Sequence, residues 1–274
     1  MKLKLRNCFE TNTDYFWMFD FDQQEYRLML DYAAEMPVIE AIKGGLDVHS
    51  ATEEVMEAES RFEAKTINFM LLYGGGVAKL CQAICKPTFD EATLKEVGKL
   101  HYWKKKTPSE ISALVRQPLK LVKSNLEQLD IANGKREKYF TKLPKVKKFV
   151  DEVIGSAKAN GFIFNWYGRR YYFDRGWEYK APNHLIQGGC ADIVKISMVE
   201  IFELLQKHKS KLRLQVHDEF VISGYKNEQF LIPQIIKIME GAYPYKHLPL
   251  TVGIEFSTKK WGEKTKWIAS PRGK

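Results

Sequence analysis

The stretch Arg61-Phe62-Glu63-Ala64-Lys65-Thr66-Ile67-Asn68-Phe69-Met70-Leu71-Leu72-Tyr73-Gly74 places Arg61, Lys65, Phe69 and Tyr73 four residues apart. On an α-helix that spacing forms one slowly drifting stripe. At about 1.5 Å per residue the stripe runs roughly 18 Å, cationic at its N-terminal end and aromatic at the other. The helix dipole adds to the pull on anions at the cationic end. A nucleoside triphosphate has the matching polarity, with phosphates at one end and sugar and base at the other. Gly74-Gly75-Gly76 then ends the helix. Taken alone, the segment is equally compatible with an amphipathic helix whose basic edge is solvated.

Outward from this helix, two acids stand where apolar strands end. Asp20 closes the run Tyr15-Phe16-Trp17-Met18-Phe19. Asp218 lies at the bend of an apolar hairpin, Leu212-Arg213-Leu214-Gln215-Val216-His217-Asp218-Glu219-Phe220-Val221-Ile222. An acid at a strand end keeps access to solvent while its backbone is held rigid. Two such acids from distant parts of the chain can converge on a hard cation with oxygen ligands, such as Mg²⁺. Each also reads as an ordinary strand-end or turn residue.

Taken together, these three segments resemble family A DNA polymerases. Asp20-Phe21-Asp22-Gln23-Gln24-Glu25-Tyr26-Arg27 is similar to the family's first motif, DYSQIELR. Arg61 to Gly74 is similar to the second, RxxxKxxxFxxxYG, and Val216-His217-Asp218-Glu219 to the third, VHDE. Further matches follow in order: Tyr139-Phe140 with Pro144, Gly168-Arg169-Arg170, Asn183, and Gln187-Gly188 with Ala191-Asp192-Ile193. Asp47-Val48-His49-Ser50 resembles the family's DIHT segment, where His49 is expected to be structural. The resemblance covers most of the chain except a stretch near residues 96–138.

The resemblance implies an α+β fold, with an antiparallel palm sheet backed by helices and a helical fingers subdomain. Residues 1–37 and 181–274 would form the palm, and 38–180 the fingers with a basic helical insertion at about 96–138. Within the palm, the expected elements are a strand before Asp20, a helix from Gln23 to Met36 stopped by Pro37, and a helix from Asp192 to Gln206. A hairpin around Asp218, a helix near Glu228 to Gly241 and a strand over Leu248–Phe256 complete it.

It implies a mechanism as well. Asp20, Asp218 and the backbone carbonyl of Phe21 would hold two Mg²⁺ ions, with Mn²⁺ able to substitute, and Glu219 would be an auxiliary acid. One metal lowers the pKa of a primer 3′-hydroxyl and the other neutralises the triphosphate and leaving pyrophosphate. Nucleotide binding falls to Arg61, Lys65, Phe69, Tyr73, Glu25 and Gln23, with Lys65 also a proton donor to pyrophosphate. Tyr73 and Glu25 would wall off a 2′-hydroxyl, which makes the substrate a deoxynucleoside triphosphate. Arg169, Asn183, Gln187, Gln215 and His217 match positions that contact primer-template DNA, reading pair shape more than sequence. Phe21 and Asp22 depart from the family's tyrosine and serine, and Asp22 adds charge close to the metals as a further ligand or points away.

Composition agrees. The 274 residues are 45% hydrophobic, enough for a substantial core, and the net charge of +9 suits a polyanionic partner. No apolar run approaches the roughly 20 residues of a membrane span, and Met1–Arg6 lacks a signal-peptide core, so a cytoplasmic protein without a membrane partner is expected. The four cysteines show no paired framework. Because the first motif lies near the start of the sequence, the thumb and exonuclease domains are expected to be absent. A second polypeptide would then carry the thumb and possibly the exonuclease, as in a split, phage-like enzyme. The rival reading is a non-catalytic DNA-binding or assembly subunit derived from such a polymerase.

The stretch from Lys95 to Lys138 carries eleven Lys and Arg against five Asp and Glu. Thr107-Pro108-Ser109-Glu110 is a capping-box pattern with proline at the first helical position. Gln117-Pro118 then turns into a second apolar face of Leu119, Val122, Leu126 and Leu129. That arrangement is similar to a helix-turn-helix with Lys120, Lys123 and Asn125 on its second helix, and equally to a generic helical hairpin.

Overall fold

The computed structural model describes residues 5–56, 58, 60–72 and 75–266. From the N-terminus come β1 (Tyr15–Phe21), α1 (Gln24–Ala33), α2 (Met36–Lys43), α3 (Val48–Met56) and α4 (Arg61–Leu72). There follow α5 (Val77–Ile84), α6 (Glu91–Gly98), a π-helical turn at Lys99–Trp103, α7 (Pro108–Val115), α8 (Leu119–Lys142) and α9 (Pro144–Asn160). A small hairpin, β2 (Phe162–Phe164) and β3 (Arg170–Tyr172), precedes α10 (Ala181–Leu205). The chain ends in β4 (Lys211–Val216), β5 (Glu219–Gly224), α11 (Ile232–Gly241), β6 (Val252–Ser257) and β7 (Thr265–Lys266). Two compact units result, Met1–Leu28 with Gln187–Lys274, and Met29–Ile186.

The first unit is built on an antiparallel sheet of order β4-β5-β1-β6-β7. The sequence explains why β1 and β5 are central. Phe16 to Phe19 are all buried, as is every residue of β5, and a continuous apolar run needs cover on both faces. Phe16, Met18, Val221 and Trp261 form one core cluster, with Leu214 and Val216 packed against it. Trp17 is fully buried and fills the place where Gly224 would carry a side chain; a Cβ there would lie 2.3 Å from the indole. Glu228 joins the end of α10 to β4 by accepting from the backbone of Lys209 (2.9 Å) and Ser210 (2.7 Å) and from Ser210 Oγ (2.6 Å).

The second unit is helical apart from β2 and β3. Its long helix α8 buries Val122, Leu126, Leu129, Ala132 and Tyr139, and α5, α6 and α7 pack on it. The capping box of α7 forms: Thr107 Oγ1 accepts from Glu110 N, and Glu110 Oε2 accepts from Thr107 N at 2.8 Å. Asn125 is buried, accepting from Phe89 N at 3.1 Å and donating to Thr88 Oγ1 at 2.7 Å. It is a structural residue and not a DNA contact.

Four element boundaries differ from expectation, the first being the helix expected near Glu228, which is a 3-10 turn over Lys226–Leu231 and α-helical only from Ile232. The helix before Pro37 ends at Ala33, Ala34 takes a φ of +53°, and Pro37 sits in the first turn of α2. Proline is tolerated there because a first-turn N–H has no intrahelical acceptor. Helix α10 begins at Ala181, with buried Leu185 and Ile186 overriding the low propensity of Gly188-Gly189. Strand β6 starts at Val252, since Pro249 cannot donate to a ladder and its carbonyl accepts from Arg27 Nη1 at 3.0 Å. Among the described residues no helix is long and apolar enough to cross a membrane.

Candidate active site

The hairpin β4–β5 turns on two residues, His217 and Asp218, with Val216 paired to Glu219. His217 takes a φ of +56°, the positive value that a tight hairpin demands at its first turn position. The turn delivers Asp218 beside Asp20, because β1 pairs with β5 in a register that sets Asp20 opposite Glu219. The carboxyl of Asp20 is raised to about 7. The main cause is displacement of water by surrounding protein, followed by the negative charges of Asp218 and Glu219; Lys264 works in the opposite direction. Such a pair is a site of concentrated negative charge that a divalent cation would relieve.

Glu219 is in a different situation. It is buried, Oε1 accepts from Trp261 Nε1 at 2.7 Å, and Oε2 is bound by Lys264 Nζ. Arg6 Nη1 lies 3.9 Å from the same carboxylate and 4.6 Å over the Trp261 ring, measured from its guanidinium carbon. Lys264 also contacts Glu255 at 3.1 Å. The auxiliary acid is therefore clamped by residues from both ends of the sequence. Neither Lys264 nor Arg6 is marked by any motif. Nothing in local spacing signals these partners.

Asp22 turns toward β6. Its backbone N–H donates to Thr251 O at 2.9 Å, and Oδ2 accepts from Thr251 Oγ1 at 2.9 Å. Gln23 takes a φ of +52°, and its carbonyl starts α1 by accepting from Tyr26 and Arg27. Glu25 follows in the first turn of α1, half-buried. The thiol of Cys190 on α10 is held far above its usual range by burial, then by the nearby charges of Glu25 and Asp218. A buried cysteine thus underlies the acids, another neighbour unmarked in the sequence.

In the second unit, Arg61, Lys65 and Phe69 lie along α4 as their spacing predicts. Arg61 makes a bidentate pair with Asp47, Nη2 to Oδ1 at 2.9 Å and Nε to Oδ2 at 3.2 Å. Asp47 also accepts from His49 N at 3.0 Å, so it starts α3 and orients Arg61 together. Lys65 Nζ lies 5.9 Å from the Phe69 ring centroid, and that ring packs against His49. His49 is buried and is held below its usual pKa by burial and by Arg61 and Lys65, which suits a structural residue. Helix α4 stops before Gly75, whose N–H donates to Met70 O at 2.7 Å; a Cβ on Gly75 would lie 2.6 Å from that oxygen. Tyr73 lies outside the described residues.

The remaining candidates fall on three elements. Arg169 is exposed at a turn organised by Asn165, whose Oδ1 accepts from Arg169 N at 3.0 Å. Its neighbour Arg170 instead stacks over Phe162 and Phe164 at 4.6 and 4.9 Å. Asn183 and Gln187 both lie on α10, Gln187 exposed and Asn183 with a buried Oδ1 that has no partner. Gln215 is exposed on β4 and donates through Nε2 to the carbonyl of His217.

The donor set fits a hard cation. Asp20, Asp218 and the strand-end carbonyl of Phe21 offer only oxygen, and Mg²⁺ is commonly held by one or two carboxylates together with substrate phosphates. No group of three or more His, Cys, Asp or Glu suited to a metal occurs among the described residues, in keeping with the commitment of Glu219 elsewhere. A fully enclosed protein cage is not what these residues offer.

Comparison with known proteins bears on the same residues. The family model for DNA polymerase family A matches residues 1–96 and 119–263. DNA polymerase I of Caldicellulosiruptor bescii is 29% identical over 257 residues, which is 86% of this chain and 25% of that protein. The thermostable DNA polymerase I of Thermus aquaticus is 26% identical, over 86% of this chain and 26% of its own. This chain therefore spans about a quarter of the length of the curated relatives it matches. Among solved structures, the POL domain of Pol1 from M. smegmatis in complex with DNA primer-template and dNTP superposes with a TM-score of 0.66 at 22% identity. That match covers 95% of this chain and 43% of the other.

Proposed function

The chain belongs to DNA polymerase family A, and we propose that it extends a primer 3′ end by template-directed addition of deoxynucleotides. The observation that carries this reading is the juxtaposition of Asp20 and Asp218, assembled at the end of a buried sheet by the β1–β5 register and the β4–β5 turn. In this reading the first unit is the palm and the second the fingers, divided after Leu28 and after Ile186.

Each residue then has a physical task. Asp20 and Asp218, both ionised, together with the Phe21 carbonyl would hold Mg²⁺. Bound there, Mg²⁺ supplies Lewis acidity toward the primer hydroxyl and neutralises phosphate charge. Glu219, clamped by Trp261 and Lys264, positions the hairpin strand that carries Asp218 and adds little net charge of its own. Arg61, pre-oriented by Asp47, and Lys65 bind the triphosphate, and Lys65 donates a proton to the departing pyrophosphate. Phe69 stacks beside sugar and base. Glu25, with Gln23 beside it and Tyr73, excludes a 2′-hydroxyl. Arg169, Asn183, Gln187, Gln215 and His217 touch the primer-template.

Duplex grip depends on many phosphate contacts spread along the helix. A further polypeptide that adds such contacts is part of the proposal. The four cysteines are free, and a reducing cytoplasm is the compartment proposed for the chain.

The test is primer extension by the purified chain with Mg²⁺ and deoxynucleoside triphosphates, alone and with candidate partner polypeptides from the native source. Extension that disappears in Asp20→Ala supports the reading. A folded chain that binds primer-template yet never extends it, with or without partners, would instead be a non-catalytic DNA-binding subunit.

A further inference from the structure

The family match breaks at residues 97–118, and this break is an ordered structure. Lys99–Trp103 forms a π-helical turn closed by Lys104 N donating to Lys99 O (3.3 Å) and Lys106 N to Leu100 O (3.1 Å). Buried Leu100 and Ile111 anchor it to the second unit. The segment carries Lys99, Lys104, Lys105, Lys106 and Arg116 against the single acid Glu110.

Beside this turn lies an open, mainly apolar cavity of about 350 Å³, walled by Val77, Leu94, Tyr102, Trp103 and Leu129. The Tyr102 hydroxyl donates to Asp130 Oδ1 at 2.6 Å, which fixes that ring in the wall. Trp103 is 80% exposed, more than any other large apolar side chain described. Lys95 and Lys99 rim the cavity; Lys95 is paired with Glu91, whereas Lys99 faces solvent. An aromatic platform with an apolar slot and a rim of lysines matches one ligand chemistry well. Every nucleobase has a π-face, and every nucleotide brings a phosphate.

We propose that Trp103 and this cavity form a stacking site for unpaired nucleotides of a DNA single strand. Bases in a duplex are already stacked and cannot enter; unpaired bases gain the indole face, and the lysines hold the phosphates on either side. The identity of the ligand as DNA rests on the polymerase reading above, but the site itself does not use the acids or α4.

The experiment measures binding of the purified chain to labelled oligo(dT) and to a blunt duplex of equal length, by fluorescence anisotropy at fixed low salt. Trp103→Ala should weaken oligo(dT) binding by about tenfold and leave the duplex unchanged. Trp103→Phe should recover most of the loss, and Lys99→Ala should weaken both ligands because phosphate contacts do not distinguish them. Thermal melting checks that each variant folds. Oligo(dT) affinity unaltered in Trp103→Ala would overturn the proposal and leave the patch to a protein partner; equal losses on both ligands would overturn it too. A chain that extends primers but binds oligo(dT) independently of Trp103 sinks this site alone. A chain that stacks oligo(dT) through Trp103 but extends nothing sinks only the polymerase reading.

Discussion

Asp20 stands directly opposite Glu219 across the β1–β5 ladder, yet both oxygens of Glu219 are already taken by Trp261 and Lys264. Three acids meet at one end of the sheet, and one of them is already hydrogen-bonded at both oxygens. Like carboxylates placed side by side in a sheet repel. The indole N–H and the ammonium offset one of them, and a proton or a metal ion between Asp20 and Asp218 would relieve the rest.

Asp20→Ala or Asp218→Ala should lower primer extension by about a thousand-fold or more, the effect expected when several kcal/mol of transition-state stabilisation are lost. Melting temperatures should stay near the parent's, because each substitution removes repulsion and no packing. Steady-state extension beside thermal melts checks both halves. Parent-like rates in either folded variant would remove the metal assignment.

In the metal-free protein Asp20 should titrate near 7, well above an ordinary aspartate. A raised carboxyl pKa contributes stability below the unfolded value of about 4, and that contribution is lost as pH rises through about 7. Mg²⁺ must displace the proton, so its apparent affinity should climb between pH 6 and pH 8. Lys264→Met removes a cation that lowers this pKa and should move the midpoint upward. Carboxyl ¹³C shifts of the metal-free protein, followed against pH, read the midpoint directly; an unmoved midpoint in Lys264→Met would detach Lys264 from Asp20.

Glu25→Ala should raise the use of ribonucleotides relative to deoxynucleotides, since it deletes part of the wall assigned to the 2′ position. The ratio of kcat/KM values for the two substrates is the measurement. If that ratio is unchanged, α1 does not line the sugar pocket.

Glu228→Ala should destabilise the protein by about 1–3 kcal/mol, since it strands the buried donors of Ser210 and the part-buried N–H of Lys209. Burial alone would raise this carboxyl, but hydrogen bonds from Ser210 and Lys209 and the neighbouring His208 outweigh it and hold it below its usual range. A depressed pKa gives stability that is present above the unfolded value of about 4.3 and lost as pH falls through the folded one. Acid denaturation curves should therefore flatten in Glu228→Ala. Identical acid limbs in parent and variant would contradict this.

The readings that came from the sequence were those that one element decides by itself. The four-residue spacing of Arg61, Lys65 and Phe69 places them along α4 because a helix repeats every 3.6 residues. The capping box at Thr107–Glu110 forms for an equally local reason. The apolar runs before Asp20 and around Asp218 marked β1 and the β4–β5 hairpin as strands. The order of motifs was enough to place the chain in its family.

What the sequence left open depends on which strands become neighbours. Glu219 finds Trp261 and Lys264 only because β1 lies between β5 and β6 and the chain after β6 folds back over the sheet end. Asn125 reads as a surface contact until the packing of α8 buries it against Phe89 and Thr88. The pairing of Arg61 with Asp47, the commitment of Asp22 to Thr251, and the raised pKa of Asp20 are of the same kind. Local spacing determines which residues share a face, since backbone geometry is short-ranged. Burial, charge offset and hydrogen-bond partnership are properties of the space between elements, and only the tertiary structure decides them.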